Sequence, residues 1–283
     1  MEGGRMNSYE MSTGLHITST KNPRVKRTLE LRERRDRDAQ KLFLIEGYRE
    51  LKRAADAKIQ LEELFICTDL FLGFNESTLI AQIKAQGTTV YTCSENAFAK
   101  LSYRDRPDGL LGVAKQMQQT FTDLPKKAAP FFLIAESIEK PGNLGTILRS
   151  ADAAGVDGVI VCDRCTDIYN PNVVRASVGT LFTIPVVEAS TQETLDWLRQ
   201  NQIQIVAATP DATLEFTEAD FSGPVAIVVG TEQLGLSAPW FDAASIQVRI
   251  PMQGVADSLN VSSATTLLLY EVLRQRKYAR SVL

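Results

Sequence analysis

The stretch FFLIAESIEKPGNLGTILRSADAAGVDGVIVCD, residues 131–163, reads as an apolar strand, a helix over Leu144–Ala154 and a second apolar strand. Continuous Val, Ile and Ala runs bounded by Gly, Pro and Asp suit strands covered on both faces, so this unit predicts a parallel crossover. The alternation continues down the chain. Asn172–Leu181 and Thr191–Asn201 read as helices on either side of a strand at IPVVEA (184–189). IQIVAATP (203–210), PVAIVVGTE (224–232) and SIQVRIP (245–251) follow as strands, and Leu259–Arg276 closes the chain as a long helix. The expected fold class is therefore α/β, a mostly parallel sheet flanked by helices over residues 131–283, with ligands at the C-terminal ends of its strands.

Upstream, residues 15–118 read as a smaller α/β domain. Its strands lie in LFLIEG (42–47), LEELFICTD (61–69), TTVYTCSE (88–95) and DGLLGVAKQ (108–116), with helices at Leu79–Gln86 and Glu95–Leu101. Residues 119–130 lose the periodicity and carry Pro125, Lys126, Lys127 and Pro130, a linker composition. A chain of 283 residues with 44% hydrophobic side chains has material for two ordinary cores.

The charge balance of 31 basic against 34 acidic side chains does not by itself suggest nucleic acid, but it hides an asymmetry. Residues 1–60 hold 14 basic and 9 acidic side chains, net +5, and the remainder 17 and 25, net −8. The excess is densest from Lys21 to Lys41, where Lys21, Arg24, Lys26, Arg27, Arg34 and Arg35 recur at helical spacing around a narrow apolar stripe. Such a helix reads either as a solvated face laced with Glu30, Glu33, Asp36 and Asp38 or as a phosphate-binding surface.

The single histidine, His16, lies near the start of the chain, so a multi-histidine metal site is removed and a Ser-His-Asp triad or a His general base has no imidazole in the chain's interior. Four scattered cysteines do not make a disulfide framework, so a reducing compartment, the cytoplasm, is expected. The longest apolar runs fall far short of the ~20 residues of a membrane span, and the first twenty residues have no signal-peptide core. Cys162 and Cys165 form a C-x-x-C, but zinc would need two further ligands, and no metal is expected.

Three segments exceed what packing requires. In the first, Asn143, Gly145 and Arg149 form N-x-G-x-x-x-R at a helix start; a capped helix with a close neighbour at Gly145 explains the first two, while Arg149 must find an anion or reach the surface. The second is G-x-E-x-x-G at Gly230, Glu232 and Gly235 directly after a strand, where Glu232 reads equally as a cap or as a site carboxylate. The third crowds Ser258, Asn260, Ser262 and Ser263 at the entrance of the last helix, which is cap vocabulary and also a natural binding rim.

In this order, N-x-G-x-x-x-R-S-A, strand-GTExxGLS and IPM…SLNVSSA resemble the three motifs of the SpoU (TrmH-type) RNA ribose 2′-O-methyltransferases. The resemblance extends over residues 131–276, and the preceding region resembles the ribosomal-protein-like (L30e-like) substrate-binding domain of many members. It implies methyl transfer from S-adenosylmethionine to a ribose 2′-hydroxyl of RNA, 23S ribosomal RNA ahead of transfer RNA, by a homodimer with a C-terminal trefoil knot. Carried over by position, Arg149 is the expected catalytic arginine, with Asn143, Glu232, Ser258 and Asn260 as site residues. Loops at Thr209, Pro210, Gly230, Ile250 and Leu259 are expected to hold the cofactor.

The chemistry agrees with these residues. A ribose hydroxyl is a poor nucleophile at neutral pH, and with no imidazole to serve, Arg149 is the electrostatic candidate, since a guanidinium is no base. Two rivals lack their signatures: there is neither the glycine-rich G-x-G-x-x-G of a Rossmann-type methyltransferase nor the G-x-x-x-x-G-K-[ST] of a nucleotide hydrolase. A non-catalytic RNA-binding protein that kept the fold is the alternative from another class.

Overall fold

The computed structural model of the chain describes residues 15–163, 166–231 and 234–279. They divide into two compact units between Gln116 and Met117.

The first unit runs β1 (His16–Ile17), α1 (Pro23–Glu30), α2 (Arg34–Gln40), β2 (Leu42–Glu46), α3 (Tyr48–Asp56), β3 (Leu61–Ile66), α4 (Glu76–Ala85), β4 (Thr89–Cys93), α5 (Glu95–Leu101) and β5 (Leu110–Lys115). Its sheet has the order β1-β4-β3-β5-β2, with β5 antiparallel to both neighbours. Leu44, Phe65, Phe98 and Leu111 form part of one core face. The basic segment 21–41, read as one helix, is two. Arg37 explains the break: it is buried, and its guanidinium donates to the carbonyls of Leu31 and Arg32 at 2.9 and 2.7 Å, capping the end of α1.

A second buried ionic group lies where β2 ends. Glu46 accepts from the backbone N–H of Tyr103 at 3.0 Å and from the Ser102 hydroxyl, while Arg104 bonds Glu50 at 2.7 Å. Burial pushes both glutamates above the ordinary value of 4.5, outweighing the pull of the Arg104 charge. Gly47 at φ 111° makes room for this pairing, because a Cβ there would lie 2.5 Å from an Arg104 nitrogen.

The second unit runs β6 (Phe131–Glu136), α6 (Pro141–Ala154), β7 (Gly158–Cys162), α7 (Pro171–Ser177), β8 (Val186–Ala189), α8 (Thr191–Gln200), β9 (Gln204–Ala208), β10 (Leu214–Glu215), β11 (Val225–Val229), α9 (Ala238–Ala243), β12 (Ile246–Arg249) and α10 (Val261–Ala279). The order is β10-β12-β9-β11-β6-β7-β8, and every pairing is parallel. Strands β6, β7 and β11 are buried throughout, as two-sided cover requires. Helix α6 begins three residues before the expected Leu144 because Pro141 supplies a preset first turn. Helix α7 stops at Ser177 rather than Leu181, where Val178 and Gly179 turn left-handed at φ 54° and 81°.

The stretch 119–130 is fastened to this unit. Phe121 stacks on Trp197 at 5.2 Å between centroids, Leu124 is buried beside Gly158, and Lys127 pairs with Asp157. Among the described residues no helix is long and apolar enough to cross a membrane, and no group of three His, Cys, Asp or Glu is placed to hold a metal ion. Burial pushes the Cys162 thiol up to about 12, so it is not a thiolate near neutral pH; Cys165 lies outside the described residues.

Candidate functional site

At the C-terminal ends of β9, β11 and β12 the chain leaves a cavity of about 420 Å³. Parallel strands end there with unpaired backbone groups and diverging loops, the usual ligand position of such sheets. Thr209 and Pro210 follow β9, Gly230 follows β11, Ile250 follows β12, and Leu259 precedes α10; all five line the cavity, as does Ser258. Thr231 and Met252, within the second and third motifs, also line it, as do Asp211 and Asp257, which carried no distinguishing pattern in the sequence.

Gly230 has its close neighbour inside its own loop. An added Cβ would sit 2.3 Å from the carbonyl oxygen of Gly235, so only glycine lets the returning strand cross. The crossing is fixed by reciprocal backbone bonds between Thr231 and Gly235 at 3.0 and 3.2 Å, with Gly235 at φ 67°. Two residues on, Ser237 opens α9 without capping it. Its N–H donates instead to Glu136 Oε2 at 2.8 Å, and its hydroxyl to Oε1 of the same carboxylate. Glu232 lies outside the described residues.

Helices α6 and α10 bring the first and third motifs together. Asn143 is on the first turn of α6 but does not cap it, since Lys140 occupies the cap position. Its Oδ1 accepts from Asn260 Nδ2 at 3.3 Å. Asn260 meanwhile caps α10: its Oδ1 accepts from the Ser262 N–H at 3.0 Å and its carbonyl from the Ala264 N–H at 3.0 Å, which fixes the amide so that nitrogen faces Asn143. Two turns along the same seam, the Ser150 and Thr266 hydroxyls meet at 2.7 Å. Arg149 precedes Ser150 and so stands about 100° around the helix from that seam. It is exposed, and it makes no hydrogen bond or ion pair with a described residue. Gly145 brings α7 against α6, for a Cβ there would lie 2.5 Å from Ala176 Cβ and 2.7 Å from the Val173 carbonyl.

The six basic residues expected to meet RNA divide into three groups. Arg24 is tied to Glu63 and lies 4.5 Å over the Tyr91 ring, and Arg27 reaches Glu62 at 3.7 Å and Gln40 at 3.3 Å. Arg34 and Arg35 make only local pairs with Asp38 and Asp36, at 3.5 and 3.6 Å. Lys21 and Lys26 are exposed and pair with no described residue.

Glu136 was not among the expected site residues. The signal was a carboxylate closing an otherwise apolar strand in FFLIAE, 4% exposed once folded.

Residues 130–270 match the SpoU rRNA Methylase family, and residues 22–112 match the MRM3-like substrate binding domain. Among solved structures, the chain is 46% identical to an RNA 2′-O ribose methyltransferase, covering 93% of this chain and 99% of that one with a TM-score of 0.82. An AdoMet-bound rRNA methyltransferase from Sinorhizobium meliloti is 31% identical, over 92% and 97% of the two chains, with a TM-score of 0.84. The 23S rRNA (guanosine(2553)-2′-O)-methyltransferase RlmP of Bacillus subtilis is 28% identical over 90% of this chain and 98% of its own.

Proposed function

The chain belongs to the SpoU rRNA methylase family, and from that premise we propose that it methylates a ribose 2′-hydroxyl of 23S ribosomal RNA with S-adenosylmethionine as donor. The observation that carries this reading is that the second and third motifs line one cavity of about 420 Å³ at the strand ends of the second unit, while the first motif is joined to the third through the Asn143–Asn260 bond. That volume falls in the range of small-molecule sites, ~300–1,000 Å³. The cofactor fits the lining: backbone approaches closely where Gly230 and Gly235 cross, and the charged side chains among the described lining residues, Asp211 and Asp257, complement a donor with a net positive charge.

S-adenosylmethionine supplies an electrophilic methyl group on a sulfonium. The 2′-oxygen bonds to that methyl carbon as the carbon–sulfur bond breaks, releasing S-adenosylhomocysteine and the hydroxyl proton. Arg149 stabilises the negative charge that grows on the 2′-oxygen, with an RNA phosphate as proton acceptor; an uncommitted guanidinium beside the α6–α10 seam suits that role. Asn143 and Asn260 hold the two helices in register and, with Ser258, present polar groups to the ribose. Glu232 completes the site by its place in the second motif.

A homodimer is part of the proposal. Helix α10 exposes Leu267 and Tyr270, 43% and 47% accessible, one turn apart, and such an apolar face suits a second copy. The trefoil knot belongs to the proposal too, since the chain leaves β12 on one side of β11 and returns with α10 against α6. Of the RNA contacts expected in the first unit, Lys21 and Lys26 pair through their side chains with no described residue, and Arg34 and Arg35 make only local pairs.

Calorimetry of the purified chain with S-adenosylmethionine, followed by transfer of labelled methyl into rRNA, tests the reading. Saturable binding and label on a ribose are expected. RNA binding with no affinity for the cofactor would instead support the non-catalytic RNA-binding alternative.

A further inference from the structure

Glu136 is a buried carboxylate that the methyl transfer does not use. It ends β6, 4% exposed, and no cation among the described residues pairs with it. A desolvated carboxylate is costly unless its lone pairs are satisfied by well-placed donors. Ser237 supplies two of them, its N–H at 2.8 Å to Oε2 and its hydroxyl to Oε1. Thr191 Oγ1 is farther, 3.4 Å from Oε1, and its single proton goes to the nearer Asp163 carboxylate. The carboxylate is thus chelated by one residue.

That residue lies two positions past the wall of the cavity. Ser237 follows Gly235, whose carbonyl packs across Gly230, and both glycines line the cofactor cavity. The returning backbone is held at one end by the Thr231–Gly235 pair and at the other by Glu136. Ser237 occupies the cap position of α9 yet turns its hydroxyl away from the helix. A serine at that position ordinarily caps its own helix; here the oxygen serves the link to β6.

We propose that Glu136 is a positioning residue for cofactor binding, fixing the backbone that runs from the Gly235 wall to Ser237 against the sheet by its two-point bond to Ser237. The inference rests on the methyltransferase reading above. Its role is one of shape and hydrogen bonding, so glutamine serves in its place. The Gln oxygen accepts from the Ser237 N–H, and the Gln amide donates to the Ser237 oxygen, which reverses its role.

The test titrates S-adenosylmethionine into the full chain and its Glu136→Ala, Glu136→Gln and Ser237→Ala variants, alongside melting temperature and steady-state kinetics. Glu136→Ala is expected to weaken cofactor binding tenfold or more, Ser237→Ala about threefold, and Glu136→Gln less than threefold. The loss should fall on KM for the cofactor rather than on kcat, and Ser237→Ala should add nothing in the Glu136→Ala background. If Glu136→Ala does not fold, Ser237→Ala and Glu136→Gln still decide. Cofactor affinity within about 1.5-fold of wild type in Ser237→Ala overturns the inference, as does equal loss in Glu136→Gln and Glu136→Ala. Failure of the wild-type chain to bind cofactor would strike the methyltransferase reading instead.

Discussion

Arg149 is exposed on a helix whose other faces are committed, with Leu148 and Ala151 in the core and Asn143 and Ser150 bonded across to α10. Because no described residue pairs with Arg149, its removal should leave the fold undisturbed, so loss of activity on removing it reports on chemistry. Arg149→Ala is expected to lower kcat by about a hundredfold to a thousandfold, the scale of losing one preorganised charge donor, while calorimetric affinity for S-adenosylmethionine changes little. Parallel loss of both would make Arg149 a structural residue. The sequence exposed this arginine because a guanidinium among Ile147, Leu148, Ala151 and Ala154 must find an anion or reach the surface. It could not expose Glu136, whose bond to Ser237 spans a hundred residues, nor separate Arg24 from Lys26, because the partner of Arg24 lies on β3.

Helix boundaries and pairings depend on such distant partners. The strands of the second unit were legible from continuous apolar runs, whereas β10 has two residues and no pattern to read. The single basic helix was misread because its break depends on Arg37, a charged residue that periodicity assigns to the surface and the fold buries. The junction of β2 and α3 offers a stability test of the same kind. Replacing Arg104 by Met leaves Glu50 buried without its cation and is expected to cost about 3 kcal/mol, at the lower end of broken buried pairs. The pH dependence has a definite sign. Glu46 and Glu50 hold protons more tightly folded than unfolded, so their contribution favours folding below the ordinary glutamate value of 4.5 and is lost as pH rises through their raised folded values. Without the Arg104 charge those values rise further. The melting temperature of Arg104→Met, followed from pH 4 to 8, should therefore fall over a wider pH span than that of wild type; parallel curves would mean that Arg104 does not act on the two carboxyls.

Over the whole molecule, the charge of −3 conceals a leading segment of +5, but much of that excess is spent within the fold. Arg24, Arg27, Arg32 and Arg37 bond to carboxylates or carbonyls of the first unit, whereas Lys21, Lys26 and Lys41 of the stretch 21–41 pair through their side chains with no described residue. The apolar pair on α10 concerns assembly. Tyr270→Glu and Leu267→Asp together should convert a dimer to monomer in light scattering while melting behaviour is kept, because both side chains are exposed within one chain. A wild-type monomer would remove the dimer from the proposal. A nucleotide-resolution map of ribose 2′-O-methylation, made from ribosomal RNA of cells with and without the gene, decides the function itself. The expected result is one 23S rRNA methyl group lost on deletion, restored by the wild-type chain and not by Arg149→Ala; identical 23S rRNA maps with and without the gene would contradict it.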